Sequence, residues 1–149
     1  PANSVHYAIQ IVRQKSPLPV LSIVEETADE CMRQGYKRAA VLGVGLTMSG
    51  GLYSDPLSDR AIEYTLPPAS DQGHLNRIIY EEIVPTGSVS PKSMEKLLRI
   101  LEKLKNDDCD AAILACTELP TVINESNSPL PVLDSTKILA VKALEEALT

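Results

Sequence analysis

Residues 39–44 read AAVLGV and residues 111–116 read AAILAC. Both runs are apolar almost throughout and lack the polar–apolar alternation of a strand that shows one face to water. Two helical patterns lie between them. Leu75, Ile78, Ile79 and Ile83 fall on one face of the first, and Met94, Leu97, Leu98, Leu101 and Leu104 recur at three-and-four spacing in the second. Strands apolar on both faces and separated by helices predict an α/β domain with a doubly wound parallel sheet.

Outward from this core, LPVLSI at 18–23, IEYTL at 62–66 and LPVL at 130–133 read as further strands. A helical pattern over 3–14 comes first. A helix over 25–34 stops at Gly35, one over 48–62 is loosened by Gly50 and Gly51, and a short one starts near 118. A closing helix, capped by Asp134 or Ser135, runs to about 147. Pro91 suits the first turn of the second amphipathic helix, and Glu95 and Arg99 can pair across one turn. The stretches 66–74 and 85–91, rich in Pro, Ser and Gly, read as loops. A helix at 3–14 with no strand before it, in a chain that opens on PANSVH, suggests the end of another α/β unit. The expected organisation is therefore 1–24 as the end of a first lobe and 25–149 as a second.

The 149 residues are the length of a single compact domain, and 44% hydrophobic with 23% charged residues is ordinary for a globular chain. Twenty Asp and Glu outweigh 14 Lys and Arg, giving a net charge of −6. That balance argues against nucleic acid and against anionic membrane as partners. With no Trp and no Phe, base-stacking platforms are excluded. No apolar run approaches the roughly 18 residues of a membrane span, and no signal-peptide pattern opens the chain. Cys31, Cys109 and Cys116 are odd in number and lack metal-ligand spacing, so neither a disulfide framework nor a metal site is expected. The expected compartment is the cytoplasm. No GxGxxG or Walker-type run occurs, which disfavours a nucleotide cofactor.

In open parallel sheets, ligands bind beyond the carboxyl ends of the strands. Three segments combine such a place with small polar residues at a helix start: Pro1 to His6, Gly45 to Ser49, and Ala115 to Pro120. Free N–H groups there favour an anion such as a carboxylate. Cys116 ends an apolar strand and opens a helix, a position that lowers a thiol pKa. It reads either as a proton acceptor or nucleophile, or as a packed core thiol. Cys31 and Cys109 read as structural. His6 reads as a hydrogen-bonding residue or a base, and His74 as solvated. Thr47 and Asp134 read first as helix caps, and Glu118 as a functional acid or as ordinary dipole compensation.

LGVGLTMSGGLY, beginning at Leu42, ILACTELP at 113–120 and PVLDSTKILAVKAL at 131–144 resemble motifs of the aspartate/glutamate racemase family in order and spacing. NRIIYEEI at 76–83 resembles the helix between its second and third motifs, and PANSVH resembles its Pro-Cys-Asn-Thr-x-His motif. The Cys-Thr-Glu motif followed by Asp-Ser/Thr is the specific part, and the resemblance covers nearly the whole chain.

The resemblance implies a cofactor-independent isomerase of acidic amino acids, aspartate or glutamate. Its two flavodoxin-like lobes hold the substrate between two thiols facing opposite sides of Cα. It implies Cys116 as the second-lobe thiol, with His6 and Glu118 as polar partners of the two acid/base positions. Asn3, Ser4 and Thr117 would bind the substrate carboxylate, and Thr47 and Met48 would line the same cleft. A homodimer is the expected assembly. Two departures stand out. The first-thiol position is Ala2, which cannot transfer a proton, and the family's Gly-rich opening segment has no counterpart. Impaired two-base racemisation is expected. The alternatives are an inactive dicarboxylate-binding module and a single-thiol decarboxylase of the same superfamily. A plain flavodoxin-like domain with a structural Cys116 predicts no acidic ligand and an ordinary thiol.

Overall fold

Four strands, β1 (Arg38–Leu42), β2 (Glu63–Thr65), β3 (Ala111–Leu114) and β4 (Val132–Asp134), form one parallel sheet in the order β2-β1-β3-β4. The structure is a computed structural model that describes residues 2–148. Pro1, in the first candidate segment, and Thr149, the last residue of the second expected lobe, lie outside the described residues. The two central strands are paired Ala39 to Ala111 through Leu42 to Leu114. Their side chains alternate between two apolar cores. Ala40, Leu42, Ala112 and Leu114 face one, and Ala39, Val41, Ala111 and Ile113 face the other. Burial on both faces is why these runs show no polar alternation.

In chain order, a 3-10 helix (Asn3–Ala8) runs into α1 (Ile9–Lys15), followed by α2 (Ile23–Arg33). Between β1 and β2 lie α3 (Gly45–Ser49) and α4 (Ser54–Ser58). After β2 come α5 (Ala69–Ile78), a π-helical turn (Ile79–Ile83), α6 (Val84–Thr86) and α7 (Pro91–Asn106). After β4, α8 (Ser135–Ala147) closes the chain and packs on α2. Leu75, Ile79 and Ile83 from the α5 region meet Leu97, Leu101 and Leu104 of α7 in one core, as their spacing predicts. Among the described residues no helix is long and apolar enough to cross a membrane.

Several boundaries correct the sequence reading. Residues 18–23 form no strand. Pro17 and Pro19 lack the N–H a ladder needs, and Leu18 is 72% exposed. The Val20 carbonyl instead accepts from Arg13 Nη2 at 3.1 Å. Ser22 Oγ accepts from the Glu25 N–H at 3.3 Å and starts α2 at Ile23. The expected helix over 48–62 is two short helices, broken at Gly51, whose φ of +67° suits glycine. The expected loop at 66–74 gives way to α5 from Ala69, and the loop at 85–91 begins only at Gly87. The helix expected near 118 is a single 3-10 turn, Leu119–Thr121. Asp134, not Ser135, caps α8, accepting from Thr136 N–H at 3.0 Å and Lys137 N–H at 3.1 Å.

Asp71 ties α5 to α7. Its buried carboxylate accepts from Lys103 Nζ at 2.7 Å and lies 3.2 Å from Lys96 Nζ. His74 Nδ1 is 3.9 Å away, on α5 rather than in a loop. The lysine hydrogen bonds, Lys103 first, hold the Asp71 carboxyl below its ordinary value. A depressed carboxyl pKa stabilises the fold above the unfolded-state value, and that contribution is lost as pH falls through the lower folded-state value. Asp71→Asn is expected to cost about 1–3 kcal/mol at neutral pH. The gap to the unaltered chain should close below about pH 3.9. Denaturant melts across pH check this, and a gap unchanged by acid would contradict it.

Candidate active site

The chain leaves the apolar sheet at the carboxyl end of β3. The Ala115 N–H donates to the Leu42 carbonyl at 2.7 Å, and Cys116 follows. Cys116 is 7% exposed and packs in the same core as Met48 and Leu119. Its Sγ–H donates to Glu118 Oε2 at 3.0 Å. Burial first, then that carboxylate, push the thiol up to about 12, and the backbone N–H groups of Glu118 and Leu119 offset only part of this. The expectation of a lowered thiol is therefore overturned. One 3-10 turn supplies little dipole, while burial disfavours the thiolate. The same hydrogen bond is the main cause holding Glu118 below the usual carboxylate range, with Thr117 adding a second. The resting pair is a neutral thiol donating to an ionised carboxylate.

The N-terminal segment reaches this end of the sheet through a buried polar chain whose direction is fixed by its last acceptor. The Leu114 carbonyl can only accept, so Ser135 Oγ donates to it, at 2.8 Å. Ser135 Oγ then accepts from Asn3 Nδ2 at 3.1 Å, and Asn3 Oδ1 accepts from the Tyr53 hydroxyl. Asn3, Tyr53 and Ser135 are all buried. Ala2 precedes Asn3 in extended backbone, and Ser4 is half-buried in the 3-10 helix. His6 lies beside the Ala2 backbone. The Ile23 N–H donates to Nε2 at 3.1 Å, which leaves Nδ1 to donate to the Ala2 carbonyl at 3.1 Å. Both ring nitrogens are engaged by backbone, and the ring joins the 3-10 helix to the start of α2.

Thr47 and Met48 lie on α3. Thr47 Oγ1 is buried and has no hydrogen-bond partner among the described residues. Its Cβ lies beside Gly43, where an added methyl would come within 2.8 Å of the Ala115 carbonyl oxygen. Glycine at 43 thus lets the loop after β1 close onto the end of β3. Met48 is fully buried in the core. Asn76 Oδ1 accepts from the Gly45 N–H at 2.8 Å, so α5 fixes the start of α3.

The structure therefore brings Asn3, Thr47, Cys116, Thr117 and Glu118 to the elements at one end of the sheet, while His6 serves α2 and Met48 the core. Tyr53, Ser135 and Asn76 escaped the sequence reading as contributors here. All three lie within the quoted motifs, but the motifs assign no role to Tyr53 or Asn76, and Ser135 reads as a possible cap. A groove of about 1230 Å³ lies along α2, α8 and edge strand β4, and Cys116 is not among its lining residues. Among the described residues no cluster of three His, Cys, Asp or Glu side chains is placed to hold a metal.

The profile of a family described as Asp/Glu/Hydantoin racemase matches residues 1–143. The broad specificity amino-acid racemase RacX of Bacillus subtilis (strain 168) is 29% identical over 140 residues, which are 94% of this chain and 60% of that protein. A candidate Asp/Glu racemase from Yersinia pestis superposes with a TM-score of 0.92 at 32% identity, covering 99% of this chain and 64% of that one. An aspartate racemase homologue from Pyrococcus horikoshii OT3 gives a TM-score of 0.89 at 30% identity, covering 99% and 65%. The chain thus spans under two thirds of the length of these relatives. The order of its motifs, its sheet and a match through nearly all its residues agree, and the chain belongs to the Asp/Glu/Hydantoin racemase family.

Proposed function

We propose that this protein transfers a proton at the Cα of an acidic amino acid, aspartate or glutamate, by thiol acid/base chemistry without a cofactor. The observation that carries the reading is the Cys116–Glu118 pair at the carboxyl end of β3. A neutral thiol in a dry site is a proton donor. In the forward sense the electron pair on a Cα carbanion takes the Sγ proton, the S–H bond breaks, a C–H bond forms and a thiolate remains. In the reverse sense that thiolate removes the Cα proton. Preorganised donors must hold the negative charge that develops on the substrate carboxylate. The second Nδ2 hydrogen of Asn3, Ser4, Thr117 and the unpartnered hydroxyl of Thr47 are assigned that work. A buried hydroxyl without a partner costs about 1–3 kcal/mol, and a bound carboxylate would remove that cost.

Ala2 occupies the position of the first thiol and leaves the opposite face of Cα without a proton carrier. The reading is accordingly of an impaired racemase. Ala2 also favours the second reading, in which the chain binds a dicarboxylate without turning it over or uses one thiol to protonate after decarboxylation. In the proposed organisation residues 1–24 close a first lobe, 25–149 form the second, and α8 returns toward the first. Exposed Val5, Ile11, Val12, Val141 and Leu144 suit burial there. The protein is read as a cytoplasmic homodimer, and its three unpaired cysteines suit a reducing compartment.

Ala2→Cys is expected to raise interconversion of the enantiomers of aspartate or glutamate about a hundredfold or more, followed by circular dichroism. No gain in a folded variant would contradict the assignment of position 2. Glu118→Gln removes the charge that opposes the thiolate, so the Cys116 pKa should fall from about 12. Part of the upward shift should remain, because burial is its larger cause. The thiolate's ultraviolet absorbance across pH reads this out, and an unmoved titration would show that Glu118 does not hold the proton on sulfur.

A further inference from the structure

Asn3 and Cys116 come from segments far apart in the chain, and a carboxylate site needs them in fixed register. The side chains that could fix it are Ser135 and Tyr53, which grip opposite ends of the Asn3 carboxamide. Ser135, the first residue of α8, is fully buried and bonds the Leu114 carbonyl, two residues before Cys116. Its hydrogen goes to that carbonyl, so its oxygen must face the Nδ2 end of the amide. Tyr53, the residue before α4, donates to the Oδ1 end. Burial pushes the Tyr53 hydroxyl up, so it stays a donor throughout the working range. With both ends held the amide cannot flip, and one Nδ2 hydrogen remains without a protein acceptor among the described residues. Apolar side chains would fill this space without the cost of burying three polar groups.

We propose that Tyr53 and Ser135 are positioning residues that orient the Asn3 carboxamide and set it in register with the Cys116 end of β3. The proposal rests on the reading that Asn3 binds a substrate carboxylate. Loss of the Tyr53 hydroxyl frees the amide to turn its oxygen toward the ligand, where a carboxylate meets an acceptor instead of a donor.

The test is a double-mutant cycle on the full chain. Aspartate and glutamate are titrated by calorimetry into the unaltered chain, Tyr53→Phe, Asn3→Ala and the double variant. The Asn3 side-chain NH₂ signals are recorded by ¹⁵N NMR. Tyr53→Phe is expected to weaken binding about tenfold, the scale of one hydrogen bond, and to move the Asn3 signals. In the Asn3→Ala background it should weaken binding no further, because its effect passes through Asn3. Equal weakening in both backgrounds, or unmoved Asn3 signals, overturns the positioning role. If Tyr53→Phe does not fold, Ser135→Ala takes its place in the cycle with the same criteria. An unaltered chain that binds neither amino acid overturns the ligand reading and the proposal with it. A chain that binds, and binds equally well as Tyr53→Phe, overturns the positioning role alone.

Discussion

Burial of β3 on both faces is the constraint on which the rest depends. A strand with apolar layers above and below has room for polar chemistry only where it ends. At that end the Leu114 carbonyl receives Ser135, the Ala115 N–H joins the end of β1, and Cys116 turns out of the sheet. Gly43 lets the neighbouring loop approach, and Thr47 and the Asn3 segment follow. The same desolvation that makes the sheet stable holds the Cys116 proton on sulfur. Stability and proton chemistry here share one cause.

That cause also decides what each neighbour contributes. In the resting pair the two shifts run apart, carboxyl down and thiol up, so the proton rests on sulfur and Glu118 accepts the S–H hydrogen bond. His6, with both nitrogens given to backbone, braces the 3-10 helix against α2 and lies beside Ala2. In the proposed reading the chemistry of this half of the site concentrates on one sulfur, with the Asn3 amide and the Thr47 hydroxyl among the groups assigned to meet a ligand.

The sequence made β1, β3 and α7 legible because their signals are local: unbroken apolar runs, and a three-and-four stripe behind Pro91. It misled at 18–23, where apolar residues around Pro19 imitate a strand but that proline lacks the N–H a ladder needs. It hid the first turns of α5 behind Pro67, Pro68 and Gly73, and it carries no local sign of the π turn at Ile79–Ile83. Cys116, Asn3 and Thr47 were visible as small polar or reactive residues at strand and helix ends. Ser135 and Tyr53 were not, because their partner Asn3 lies 132 and 50 residues away in the chain. The direction of the thiol shift was misjudged for a similar reason. A helix start is a local feature, whereas the burial that outweighs it comes partly from residues distant in the chain such as Met48.

The most direct test of the account is Cα-proton exchange in D₂O by the unaltered chain, followed by NMR for each enantiomer of aspartate and glutamate. With Cys116 as the one proton carrier, one enantiomer alone should lose its Cα proton signal. It should keep its configuration, because the same sulfur returns the deuteron to the same face, and Cys116→Ala should abolish the exchange. Exchange that survives Cys116→Ala, or no exchange of any enantiomer by the unaltered chain, would contradict it.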